Sequence, residues 1–381
     1  MLSILWIRRE PKAGFAKMAC TWKEDWDKTA RRFDAWWSGK GLIVSHWGNG
    51  LNRPGIAKAE SAHSSVADWR DPAAFARSER AALEGKTFPL DIVPFVFADY
   101  GTVSLAPLFG SPVNFGRDTV WYSPSDLSPD NDRRLLFDES HPFWRNLIAV
   151  VDESRALAGD SYFVGSPALA PGLDVLAELC GATDLMMHLA LEPDWVHSKL
   201  REIQDASYMA LDALYPHIRA DDGSMFHAFF MFWSRKRAGF AQCDTAGMIS
   251  PAMFEEFCVP YLREYCDRFD RVLYHVDGPQ ALRTVDMLLE IDGISAIEYT
   301  PGPQVPPGSD PSYHALYRKI KAAGKSVQAV WIKPVAEDIE RLLDAVGPEG
   351  MYLEIEYDSM NDVENVARVI EKYVDSEGMT S

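Results

Sequence analysis

Apolar positions along this chain follow two rhythms. Short, nearly unbroken apolar runs read as buried strands at residues 41–45, 91–98, 162–165, 226–233, 272–275, 295–298, 326–331 and 351–357. Between them, apolar residues recur every three to four positions, the spacing of an amphipathic helix, over residues 71–84, 143–156, 173–180, 194–215, 251–269, 279–289, 312–323, 335–346 and 361–373. Residues 22–40 are rich in tryptophan and charge, also at helical spacing. The stretch from Asn114 to Asp132, with Trp121, Pro124 and Pro129, fits neither rhythm.

Strand and helix alternate most cleanly in the second half. That alternation predicts parallel strands joined by helical crossovers. A count of eight strands favours a closed (β/α)8 barrel over an open doubly wound sheet. The expected organisation is a helical N-terminal extension at 1–40, one barrel domain at 41–375 and a flexible tail at 376–381. No GxGxxG or GxxxxGK[ST] pattern follows a strand, so neither a dinucleotide site nor a P-loop is expected.

The 381 residues are 47% hydrophobic, enough for one large core. No apolar stretch reaches the roughly 18 residues of a membrane helix. Met1 to Lys12 has a short apolar patch followed by Arg8, Arg9 and Glu10, without the long apolar centre and small-residue cleavage site of a secretory signal. The expectation is a cytoplasmic protein with no membrane partner. A formal net charge of −18 repels phosphate backbones and argues against nucleic-acid binding. Cys20, Cys180, Cys243, Cys258 and Cys266 show no CxxC spacing and read as buried free thiols.

Several segments, in order, resemble the uroporphyrinogen decarboxylase superfamily. Gly165, Ser166 and Pro167 with the helix Leu176 to Gly181 look like its Gly-Pro and following helix. Leu191, Glu192 and Pro193 precede a helix as in its "edP" stretch. Ile249 to Phe257 with Pro260 and Tyr261 resembles its "iSPemfeef…Py" segment, the most specific of the matches. Tyr274 to Gly278 sits where the family carries a strand-end histidine, and Val363 to Val366 resembles its closing "eNv". The resemblance implies a barrel enzyme of one of two kinds: a decarboxylase of tetrapyrrole acetate groups, or a zinc methyltransferase working with corrinoid proteins. The first kind implies an arginine-rich N-terminal segment, which is missing before His46. The second implies His-x-Cys and a late cysteine. Here the motif reads His275, Val276, Asp277, and no cysteine follows Cys266.

In a barrel the chemical groups come from strand ends on one face. Here these are His46, Asp99, Trp233, His275, Asp277, Glu298 and Glu356, joined by Gln242 and Asp244 from a loop. His275 and Asp277 are two apart in a strand and so share a face. With Glu298 and Glu356 they make a His-carboxylate set suited to a divalent ion such as zinc, manganese or iron. Alternatively, Asp277 caps the helix opening at Gly278 and Pro279. Glu354 shares the face of Glu356 and is equally eligible as the late ligand. Asp99, Asp244 and His275 are candidates for proton transfer, although Asp99 and Asp244 also read as helix caps. Cys243 reads either as a nucleophile or as a buried thiol. His46, Trp47, Tyr100, Trp233, Gln242, Tyr299 and Trp331 are candidates for binding a small-molecule substrate, the aromatics as walls. Three readings follow: a metal-dependent, methyltransferase-like enzyme with a corrinoid methyl donor as partner; a metal-independent decarboxylase or lyase of a small carboxylate or tetrapyrrole-like substrate; or a binding barrel without turnover.

Overall fold

The computed structural model describes residues 20–53, 70–99, 104–116, 120–302 and 304–374. The chain is an α/β protein whose largest sheet has six strands, all parallel. These are β1 (Leu42–His46), β6 (Ala238–Gln242), β7 (Arg271–Asp277), β8 (Ala296–Thr300), β9 (Ser326–Ile332) and β10 (Met351–Ile355), in the spatial order β1-β10-β9-β8-β7-β6. Every residue of β8 and β10 is buried. Helices cover one side of such strands and other strands' side chains the other, so their sequences read as continuous apolar runs. A second sheet holds β2 (Phe95–Phe97), β3 (Phe163–Ser166), β4 (Met225–His227) and β5 (Phe232–Ser234) in that order, with β4 and β5 antiparallel.

The expected single closed ladder of eight strands is therefore not what the described residues form. One gap lies between β1 and β2. There Asp91 N donates to Val44 O at 2.9 Å, and Val44 N donates to the Asp91 carboxylate at 3.0 Å. A side chain has taken the place of a ladder bond. That buried carboxylate is matched by Arg32 at 2.8 Å, from helix α1 (Trp26–Trp36). Removing one partner of such a buried pair costs about 3–5 kcal/mol. Helix α1 lies across the N-terminal ends of the strands, where Trp36 Nε1 donates to Val327 O at 3.2 Å.

The second gap corrects the reading of 226–233 as the fourth strand. That run is a hairpin, β4 and β5, with Met231 in the left-handed region at φ 48°. The run is apolar because both arms and all of the tip but Phe229 are buried, not because it is one extended strand. Tyr352 donates its hydroxyl to Met231 O at 2.7 Å, and Gln328 Nε2 donates to Phe230 O at 2.8 Å. The parallel strand beside β7 is β6, where the sequence pattern predicted a loop. Alanine and glycine at 238, 239 and 241 weaken its apolar signal.

The helix expected over 251–269 is two helices, α3 (Pro251–Phe257) and α4 (Val259–Cys266). Pro260 cannot donate a backbone hydrogen bond, which favours the break at Cys258. Ser250 caps α3 by accepting from Met253 N. Among the described residues no helix is long and apolar enough to cross a membrane.

A candidate active site at the strand ends

Four polar residues align across neighbouring strands: Gln242 beside His275, His275 beside Glu298, and Glu298 beside Gln328. Residues in register on adjacent parallel strands point to the same face. The sequence thus places an imidazole and a carboxylate side by side in an otherwise apolar layer. His275 Nδ1 hydrogen-bonds Glu298 Oε2. Glu298 Oε1 accepts from the Thr300 hydroxyl at 2.6 Å. The Phe230 ring lies 5.0 Å from the imidazole and shields it. Burial alone would lower the imidazole pKa. The Glu298 charge and hydrogen bond, helped by Asp244 and Asp277, outweigh burial and raise it to about 9. His275 is therefore an imidazolium at neutral pH, held by a buried carboxylate.

This pair opens on a cavity of about 380 Å³ at the C-terminal ends of the strands. Of the expected residues, the cavity brings together Trp47, Gln242, Asp244, His275, Asp277 and Trp331. Asp277 sits at the N-cap of the short helix Gly278–Ala281 but makes no capping bond, and its carboxylate is exposed to the cavity. Asp244 does not cap α3 either, since Ser250 does. Gln242 Nε2 donates to Asp244 at 3.3 Å. Enclosure by protein, with Asp174 adding repulsion, raises the Asp244 pKa to about 7, against the pull of His275. The carboxylate faces the open cavity, so solvent moderates that shift.

Helix α2 (Leu173–Cys180) contributes Asp174 and Glu178, which strand-end reasoning did not single out. They are four apart and so share one helix face, a signal present in the sequence. Asp174 accepts from Asp244 N and Thr245 N, both at 2.9 Å, and from the Thr245 hydroxyl at 2.7 Å, which fixes the turn that carries Asp244. Glu178 accepts from Ser104. Burial first, then Asp174 and Asp244, raises its pKa to about 7. Phe229 and Phe230, from the hairpin tip, complete the wall with Phe240. Trp331 has φ 54° at a bulge in β9. A left-handed tryptophan costs on the order of 1–3 kcal/mol, so surrounding structure holds it at the cavity.

The other expected residues lie elsewhere. Trp233 is buried against Trp26, 5.3 Å away, near α1 and the N-terminal strand ends. Tyr299 faces away from Glu298, against Tyr313 at 5.2 Å. His46 ends β1, with Nδ1 2.9 Å from Ile355 O, and burial lowers its pKa. Asp99 is buried beyond β2 and does not line the cavity. Tyr100 lies outside the described residues. Cys243 is a buried free thiol 3.7 Å from Cys258, its pKa raised by the neighbouring thiol and by burial. Glu356 pairs with Lys333, away from the cavity. Glu354 is fully buried, and Gln328 Nε2 donates to it at 2.5 Å.

The four expected metal ligands, His275, Asp277, Glu298 and Glu356, are not all brought together. His275 Nδ1 is taken up by Glu298, which leaves only Nε2 of the imidazole to meet a ligand. The second Glu298 oxygen is taken by Thr300. Glu356 has its own cation. Among the described residues no group of three or more His, Cys, Asp or Glu side chains is arranged to hold a metal.

No family model matches the chain, and no curated protein matches it. Among solved structures, the chain is similar to a methyltransferase from Methanosarcina mazei, with a TM-score of 0.59 and 12% identity. That likeness spans 90% of this chain and 97% of the other, so the two share their fold along nearly their whole length.

Proposed function

We propose that the chain is a methyltransferase-like enzyme that acts on a small molecule in the cavity at the strand ends. In this reading the fold is a (β/α)8 barrel in which Asp91 and the β4–β5 hairpin bridge the two sheets. The fold likeness and the motif resemblance support the reaction class. The observation that carries the site is the buried His275–Glu298 pair opening on the cavity beside Asp244.

The residues supply proton and charge management. A methyl group leaves its donor, which keeps the electron pair of the broken bond, and joins a nucleophilic atom of the substrate. That atom gives up its proton to the Asp244 carboxylate, which sits at the cavity with a pKa near the working pH. His275, kept charged by Glu298, donates a hydrogen bond that orients the substrate. Thr300 and Phe230 hold the pair in place and dry. A corrinoid protein is the methyl-carrying partner that the resemblance implies. No step here is routed through a metal held by this chain. A tetrapyrrole or polycarboxylate decarboxylase fits less well, because among the described residues no Lys or Arg lines the cavity.

The test is an assay of methyl transfer from methylcobalamin to a panel of small nucleophiles, followed by the cobalamin absorbance. Wild type should turn over at least one, and His275→Gln should lower kcat about 100-fold. Turnover by His275→Gln at the wild-type rate would remove His275 from the mechanism.

A further inference from the structure

The walls of the cavity state which charge it prefers. Asp174, Glu178, Asp244 and Asp277 all line it, and among the described residues the only basic side chain there is His275, which faces Glu298. Asp277 stands at the mouth without a hydrogen bond to its own helix. The same cavity has an aromatic part. Trp47 and Trp331 meet edge to face at 6.2 Å and 72°. Trp47 and Phe229 are left 38% and 39% exposed, although large aromatics bury well. Trp331 reaches its position only by adopting a left-handed backbone. Indole rings that line a cavity together with carboxylates attract a positively charged, partly apolar group through the ring quadrupole and direct charge attraction. A cation would answer the Asp277 carboxylate, and an anion would be repelled.

We propose that the cavity takes an organic ammonium ion, its charged nitrogen between Asp277 and the Trp47–Trp331 edge and its alkyl part against Phe229 and Phe230. This names the substrate class of the site proposed above and rests on that site being the active one. Calorimetric titration of the purified full chain tests it, with butylammonium and tetramethylammonium as probes and butan-1-ol and butyrate as neutral and anionic counterparts. Both cations should bind saturably and about tenfold more tightly than butan-1-ol, with no binding of butyrate. Asp277→Asn and Trp47→Leu, both at exposed positions that leave the core intact, should each weaken cation binding about tenfold. Equal affinity for butan-1-ol, no saturable binding of either cation, or cation binding unaffected by both substitutions would overturn the proposal. Binding is read without turnover, so the two readings fail separately. Cation binding in a protein that transfers no methyl group would sink the reaction and keep the ligand class. Turnover of neutral nucleophiles without cation binding would do the reverse.

Discussion

Two buried glutamates, Glu298 on β8 and Glu354 on β10, meet opposite solutions to the same problem. Neither carboxylate sees water. Glu298 finds an imidazolium on the next strand and a hydroxyl two residues on. Glu354 finds the Gln328 amide, while burial and the nearby Glu298 charge raise its pKa well above the usual range. Its second oxygen lacks a partner, which suits a neutral, protonated acid better than a charged one. A carboxylate taken from water acquires either a counter-charge or a proton. Here the first outcome lies against the cavity and makes a chemical group, and the second lies deeper and makes core.

The sharpest way to break this comparison is Glu298→Gln. It should cost about 3 kcal/mol of stability by denaturant unfolding, because the buried imidazole loses its counter-charge. It should also lower kcat about 100-fold. A fully stable, fully active variant would place Glu298 with Glu354, as mere core. Next, activity should depend on pH in a bell. It rises as pH passes about 7, where Asp244 becomes able to accept a proton, and falls as pH passes about 9, where His275 loses its own. Glu178 titrates in the same low range, so the assignment needs variants. Asp244→Asn should abolish the lower limb and Glu178→Gln should keep it. The deeper region depends on the hairpin seat, where a Cβ at Gly165 would lie 2.3 Å from Ala228 Cβ. Gly165→Ala should therefore destabilise by about 1–3 kcal/mol in the same unfolding assay. The smallest effect belongs to Glu354→Gln, an amide in place of an acid that already carries its proton. Stability at pH 7 should change by less than about 1 kcal/mol, and a large loss would mean that Glu354 is charged.

The comparison also marks what the sequence could tell. His275 and Asp277 were legible because a two-residue step in a strand fixes a shared face, and both reach the cavity. Glu298 was legible as a neighbour, yet its role as the imidazole's holder depends on register, which no single strand encodes. Glu354 and Glu356 are equally eligible in the sequence as a late ligand, but the strand ends at Ile355, Glu356 turns out to Lys333 and Glu354 is buried. The β4–β5 hairpin was hidden because its tip is as apolar as its arms, and β6 was hidden by small residues. Asp174 and Glu178 were missed because attention to strand ends passes over a helix that leans across them. The regular second half was read nearly element by element. The irregular first half yielded only where apolar runs were long.

The central claim is that a buried carboxylate holds His275 charged at the mouth of the cavity. The most direct test is to follow the His275 ring protons by NMR through a pH titration of the wild-type chain, assigned by comparison with His275→Gln. The account predicts titration near pH 9. Titration at or below the ordinary histidine value of about 6.5 would contradict it.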